Sequence, residues 1–250
     1  MAELQNRWGA QTQSRTSGVA IDEGLRAYML RVYNYMGLGV AFTAIVTLLM
    51  INNPDVMKAV ATGPMKWVLF FAVLGLGMFA HKVIYSGNQM LAHGAYWLYC
   101  ALWGALISPM IFAFVSRGAG EVVGQAFAVT AVTFGAVSLF GYTTKKNLSA
   151  FATFFAIASI GLLVAMLVNA FVFKSTGMSL MVSCGVVLLF AAITAWETQE
   201  IKQMYVEGSH NGEAAGYFTS SAIFGAFLLY GSFVTLFTNI LNILGIMRSD

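Results

Sequence analysis

From Ala214 to Met247 the chain runs 34 residues without an Asp, Glu, Lys or Arg. As a helix rising 1.5 Å per residue that stretch is about 51 Å long, against a bilayer hydrocarbon core of about 30 Å. It is far too long for a strand. A membrane crossing needs about 20 apolar residues, and reading the gaps between charges gives seven candidates, the second of them short and expected to extend past His81 and Lys82. They are Val32–Ile51, Met65–Ala80, Ala92–Val115, Val122–Tyr142, Leu148–Phe173, Met178–Trp196 and Tyr217–Met247. With 59% hydrophobic and only 9% charged residues, the 250-residue chain has too little charge to cover a soluble surface. Barrel strands alternate over about ten residues, whereas these runs are continuous. The sequence therefore predicts an all-α integral membrane protein of seven transmembrane helices. Residues 1–31 form a cytosolic N-terminal tail and lead-in, and residues 32–247 the transmembrane domain.

The first 31 residues carry Arg7, Arg15, Arg26 and Arg31 but no apolar core, so no cleavable signal peptide is expected in them. Up to about Gly18 the composition is that of a mobile tail. With an inside N-terminus, inner segments carry eight Lys and Arg: Arg7, Arg15, Arg26, Arg31, Lys82, Lys145, Lys146 and Lys202. Outer segments carry five: Lys58, Lys66, Arg117, Lys174 and Arg248. Cytoplasmic loops are enriched in these residues, so the N-terminus is expected inside and the C-terminus outside. A net charge of +3 is too small for nucleic-acid binding. Cys100 and Cys184 fall inside apolar runs and are expected as buried, reduced packing residues. His81, His93 and His210 share no metal-ligand spacing, so neither a metal site nor a cofactor is expected.

The last span exceeds the bilayer and must tilt, protrude or break, with Gly225, Gly231 and Gly245 as places to do so. Its Ser220, Ser221, Ser232, Thr235, Thr238, Asn239 and Asn242 suit a central position, facing other helices or water rather than lipid. Gly37, Gly39, Gly75, Gly77, Gly135 and Gly141 are expected at close helix crossings. Glu197 is the residue on which function turns. It follows the apolar run Met178–Trp196 in "TAWETQEIKQMY" and is either the first solvated residue after a span or a carboxylate set on an ion path. Burying a charge at the bilayer centre costs roughly 2.5–3.5 kcal/mol on insertion scales, which favours an interfacial place. Glu200, Glu207 and Glu213 are expected as solvated loop residues.

Four stretches go beyond generic membrane sequence. They are "TAVTFGAVSLFGYTTKKNLSAF" (130–151), "TAWETQEIKQMY", "LISPMIFAF" (106–114) and "AFLLYGSFVTLF" (226–237). Together they resemble the Bax inhibitor-1 family, often labelled YccA-like in bacteria, from about Tyr28 to Gly245. The resemblance implies three hairpins around a central seventh helix, in a bacterial inner membrane. It also implies a pH-sensitive calcium leak, latched in bacterial members by a carboxylate pair between the sixth and seventh helices. Where the sixth-helix motif usually reads Tyr-Asp-Thr-Gln, this chain has Trp196, Glu197, Thr198 and Gln199. Where the seventh usually reads Leu-Tyr-Leu-Asp, it has Leu229, Tyr230, Gly231 and Ser232.

On this resemblance Glu197, Ser232, Thr198, Gln199 and Tyr230 are the gate residues and Ca²⁺ is the transported ion. Independently of it, Lys82 and Lys202 are candidate charge partners for Glu197, which would favour its ionised form if they approach. Ser232 replaces the second carboxylate. Two close carboxylates cannot both ionise cheaply, so protons compete with metal there; Glu197 facing Ser232 lacks that coupling, and a shallower pH response is expected.

An enzyme is not expected. Ser232 has no histidine at similar depth to form a protease dyad, and the last span has no Lys for a retinal Schiff base. The rival is a non-conducting membrane regulator that binds a membrane protease or another membrane protein. The sequence is silent on oligomeric state.

Overall fold

The computed structural model describes residues 2–249, with side chains described for residues 23–248 apart from 54, 61 and 62. Eight helices follow one another: α1 (Ala2–Ile51), α2 (Pro54–Thr62), α3 (Met65–Ile84), α4 (Gln89–Val115), α5 (Gly120–Thr143), α6 (Ala152–Val168), α7 (Thr176–His210) and α8 (Ala215–Ser249). A 3₁₀ turn (Ser149–Phe151) leads into α6, and a π-turn (Asn169–Phe173) carries it on. All but the short α2 are long and apolar enough to cross a membrane, the crossing part of α1 being Glu23–Ile51. Among the described residues there is no strand.

The first crossing begins earlier than Val32. Leu25, Tyr28, Met29, Val32 and Met36 are all buried, while Arg26 and Arg31 between them are exposed. That spacing is one face of a helix, and a reading based on gaps between charges cuts it at Arg31. The mobile tail expected up to about Gly18 lies outside the residues whose side chains are described.

α8 is the axis of the bundle. Buried residues make up 72% of its apolar window, against 6% for the Ser149–Phe173 span. It packs on α7, α1, α5, α4 and α3, and runs unbroken through its glycines. Gly225 is a contact point: a Cβ there would lie 3.1 Å from Ile201 of α7. Around the axis α1 packs on α4, α4 on α3, α5 on α7, and α6 on α7. α6 is the outermost helix.

In lipid there is no hydrophobic pressure between helices, so close backbone approach and interhelical hydrogen bonds hold them. At the α1–α4 crossing, a Cβ on Gly104 would lie 2.9 Å from the Thr43 carbonyl oxygen, and Thr47 Oγ1 donates to the Gly104 carbonyl at 3.1 Å. Gly39 sits under the Tyr96 hydroxyl and Gly141 against the Ala195 backbone. By contrast Gly37, Gly75, Gly77 and Gly135 have no heavy atom within 4 Å of such a Cβ, so the expected crossing role holds at only some glycines. Cys100 is buried, but Cys184 is exposed on the lipid-facing side of α7 and does no core packing.

α7 does not stop at Trp196. It continues to His210, because Ile201 and Gly208 remain buried against neighbouring helices. Tyr205 packs on Tyr28 and Phe218, with ring centroids 5.1 and 5.3 Å apart. Those contacts carry α1, α7 and α8 together past the loop that holds Lys145 and Lys146. Gln199 clamps that loop: its Nε2 donates to the Lys146 carbonyl at 2.9 Å and its Oε1 accepts from the Leu148 amide at 2.8 Å. Two neutral hydrogen bonds contribute about 1 kcal/mol each. Gln199→Leu should therefore open the loop about 30-fold more often, read as faster tryptic cleavage after Lys145 and Lys146.

Candidate functional site

Glu197 is 8% exposed, although it follows the apolar run rather than lying within it. Its burial is the outcome of α7 continuing beside α8. Across that crossing the Ser232 hydroxyl donates to Glu197 Oε2 at 2.7 Å. The pair lines a cavity of about 720 Å³ whose walls come from α3, α4, α6, α7 and α8. Among the described residues Glu197 is the only acidic side chain on its wall, which is otherwise mostly apolar: Phe70, Leu106, Leu162 and Phe227 are typical. Among the described residues Glu197 forms no salt bridge. Such a hydrogen bond from Ser232 contributes about 0.5–1.5 kcal/mol, and about 1.5–3 kcal/mol where the acceptor is charged, which favours one register of the two helices.

The next residue anchors the same turn on its other side. Thr198 Oγ1 donates to the Thr194 carbonyl at 2.8 Å, so its single hydroxyl proton is committed. Ser138, 2.9 Å away, must then donate to Thr198, and Tyr33, 2.6 Å from Ser138, must donate to Ser138. This ordered chain ties α1, α5 and α7 together beside Glu197. Tyr230 faces away from the cavity, its hydroxyl 2.5 Å from Thr43 Oγ1. Of the five predicted gate residues, then, only Glu197 and Ser232 border the cavity; Thr198, Gln199 and Tyr230 hold its frame.

Lys82 and Lys202 are not brought to Glu197. Lys202 Nζ donates to the Tyr142 carbonyl at 3.1 Å and lies 5.0 Å from the Tyr142 ring centroid, while Lys82 is exposed on α3. Lys202 is five residues past Glu197 and so points to a different side of α7. Glu200, expected in solvent, is half-buried and accepts from the Ser149 hydroxyl. Glu207 and Glu213 are exposed.

From Ser232 a polar row follows one face of α8 through Thr235, the adjacent Thr238 and Asn239, and Asn242, each step along the face being three or four residues. It passes from the main cavity into a second of about 250 Å³, which shares Met110, Met166, Thr238 and Asn239 with it. Here Asn242 Nδ2 donates to Ser183 Oγ at 2.8 Å and to Ser179 Oγ at 3.0 Å. The row therefore runs from Glu197 toward the bundle end where Lys174 joins α6 to α7. In the opposite direction the interior is filled, with Ile201, Ala222, Ile223 and Ala226 wholly buried. The space is open on one side of Glu197 and sealed on the other. The α4 lining residues Tyr99 and Trp103 escape sequence reasoning, because aromatic residues in a span read as lipid or core contacts.

The family model for inhibitors of apoptosis-promoting Bax1 matches residues 25–249. The chain belongs to the Bax inhibitor-1 family. It is 33% identical to the inner membrane protein YbhL of Escherichia coli K12, over 90% of this chain and 94% of that protein. It is 37% identical to an uncharacterized protein of Deinococcus radiodurans, over 94% of each. A third relative, from Rickettsia prowazekii, is 33% identical over 91% of this chain and 92% of its own length. This Bax inhibitor-1 family member is thus an integral membrane protein matched across nearly all of its bundle.

Proposed function

We propose that this protein is a cation leak pathway held shut where α7 meets α8, with Glu197 and Ser232 as the latch. The supporting observation is the carboxylate itself: it borders a cavity inside a membrane bundle, joined to the facing helix by one hydrogen bond. The polar row to Asn242 supplies oxygen atoms for a partly dehydrated ion, and the buried plug around Ile201 and Ile223 makes the shut side. Calcium is the ion the family resemblance implies. Ca²⁺ takes six to eight oxygens and favours charged ones, so one carboxylate with hydroxyls and amides suits passage rather than storage. The site has no second carboxylate, and the leak is proposed to respond to pH less steeply than in two-carboxylate relatives.

Ser232→Ala tests the latch. Losing a hydrogen bond to a carboxylate, about 1.5–3 kcal/mol, should raise the resting Ca²⁺ leak in liposomes by about tenfold or more. An unchanged leak would sink the latch. A second reading, a non-conducting regulator of a membrane protease or another membrane partner, draws on the same lone carboxylate, which coordinates Ca²⁺ poorly. Zero flux from both the native chain and Ser232→Ala would decide for it.

The proposed location is the bacterial inner membrane, with the N-terminus in the cytoplasm. Single cysteines at Asn147 and Ser249, in a background without Cys100 and Cys184, should label from opposite faces. Labelling of both from one face would contradict seven crossings.

A further inference from the structure

The cavity beside Glu197 has a side entrance. Two of its walls, α3 and α6, pack on different neighbours, α3 on α4 and α6 on α7. They meet near the Lys174 end, where Trp67 stacks on Phe171 with ring centroids 5.0 Å apart and planes 16° from parallel. Beyond that closure Gly77 and Met78 of α3 and Met166 of α6 line the cavity and are also exposed, Met78 by 79%. Residues that do both mark an opening. At this place in the bundle it faces the apolar interior of the bilayer.

We propose that this opening admits a membrane-dissolved amphiphile with an apolar body and a single amine, whose ammonium group meets Glu197. The volume, about 720 Å³, lies within the roughly 300–1,000 Å³ of small-molecule sites, which are likewise mostly apolar with a few placed polar groups. Leu74, Leu106 and Leu162 would hold the body. Glu197 accepts one hydrogen bond from Ser232, and an ionised carboxylate has about four acceptor positions. A charge-assisted hydrogen bond from an ammonium is roughly twice as strong as a neutral one. A plain hydrocarbon chain would leave Glu197 without that partner, and an anion would be repelled. The site stands whether or not ions cross the protein, so it does not rest on the leak reading.

The native protein in phosphatidylcholine nanodiscs is photolabelled with a diazirine-bearing dodecylamine and with the matching dodecanol. The amine label should concentrate on α3 around Gly77 and on α6 from Leu162 to Met166, about tenfold above the alcohol. Glu197→Gln should bring the amine down to the level of the alcohol. Gly77→Phe should exclude both probes; a Cβ there meets no heavy atom within 4 Å, so the ring enters open space. A lipid headgroup amine offers the same chemistry as a free one. Displacement of the probe by added phosphatidylethanolamine assigns the site to the headgroup, and persistence assigns it to the free amphiphile. Labels spread evenly over lipid-facing residues such as Val132 and Leu139, or amine labelling indifferent to Glu197→Gln, would overturn the proposal. The native label map tests the opening without any substitution. Loss of labelling with Ca²⁺ flux intact rejects this site alone, and absent flux with labelling intact rejects the leak alone.

Discussion

Replacing Glu197 by Gln is expected to lower Ca²⁺ flux through reconstituted protein by about a hundredfold or more. The argument is electrostatic. A monovalent cation 4 Å from a carboxylate gains about 4 kcal/mol at an effective dielectric of 20, and a divalent one gains more. Among the described residues Glu197 is the only acidic side chain on the cavity wall, so none of them replaces that attraction. Glutamine keeps the shape, and its amide oxygen can still accept from the Ser232 hydroxyl that now lies 2.7 Å from Oε2. The latch geometry therefore survives while the charge is lost. Because Ser232→Ala is expected to raise the leak, the two substitutions should move flux in opposite directions. A shared direction would mean that the contact serves stability and not gating. Radiotracer or dye-based Ca²⁺ efflux from liposomes, normalised to reconstituted protein, makes the comparison.

The largest expected loss of stability comes from Gly141, which looks like an ordinary small residue in an apolar run. A Cβ at this position would lie 2.8 Å from both the carbonyl carbon and the Cα of Ala195. Those are backbone atoms and cannot rotate aside, so α5 and α7 would have to separate. Overpacking of this kind costs about 1–3 kcal/mol, occasionally more, and the rigid neighbour puts Gly141→Leu at about 3 kcal/mol. At roughly 2–4 °C per kcal/mol for a chain of this size, the unfolding midpoint in detergent should fall by about 6–12 °C. Gly135→Leu, with no heavy atom within 4 Å of its added Cβ, should leave the midpoint nearly unchanged. The separation would also pull Ser138 from Thr198, one residue from Glu197, so any Gly141→Leu protein that folds should have an altered leak.

The same two glycines show what a linear reading can and cannot reach. Both lie in α5, six residues apart, and composition treats them alike. Only the rotation of α5 about its axis turns Gly141 toward α7 and Gly135 toward lipid. Likewise Leu25, Tyr28 and Met29 carry a helical face that was there to be read. Arg26 and Arg31 hid it, because a count of apolar residues between charges does not ask which face each charge occupies. Lys202, a candidate charge partner for Glu197, lies five residues along the same helix, which turns it to a different side.

A seven-helix membrane bundle was legible in the chain alone, because apolar runs of about 20 residues have few other stable homes. The motif around Glu197 and the hydroxyl at Ser232 were also legible, as was the polar row on α8, since period and residue type are local properties. The tertiary structure alone decided that Glu197 is buried rather than wet, that it bonds to a residue 35 positions away, and that a cavity opens on one side of it. Those outcomes depend on how far α7 continues past the apolar run and on which gap is left where α3 and α6 pack on different partners. Such packing is fixed by the fit of whole helix surfaces, which no single stretch of sequence contains.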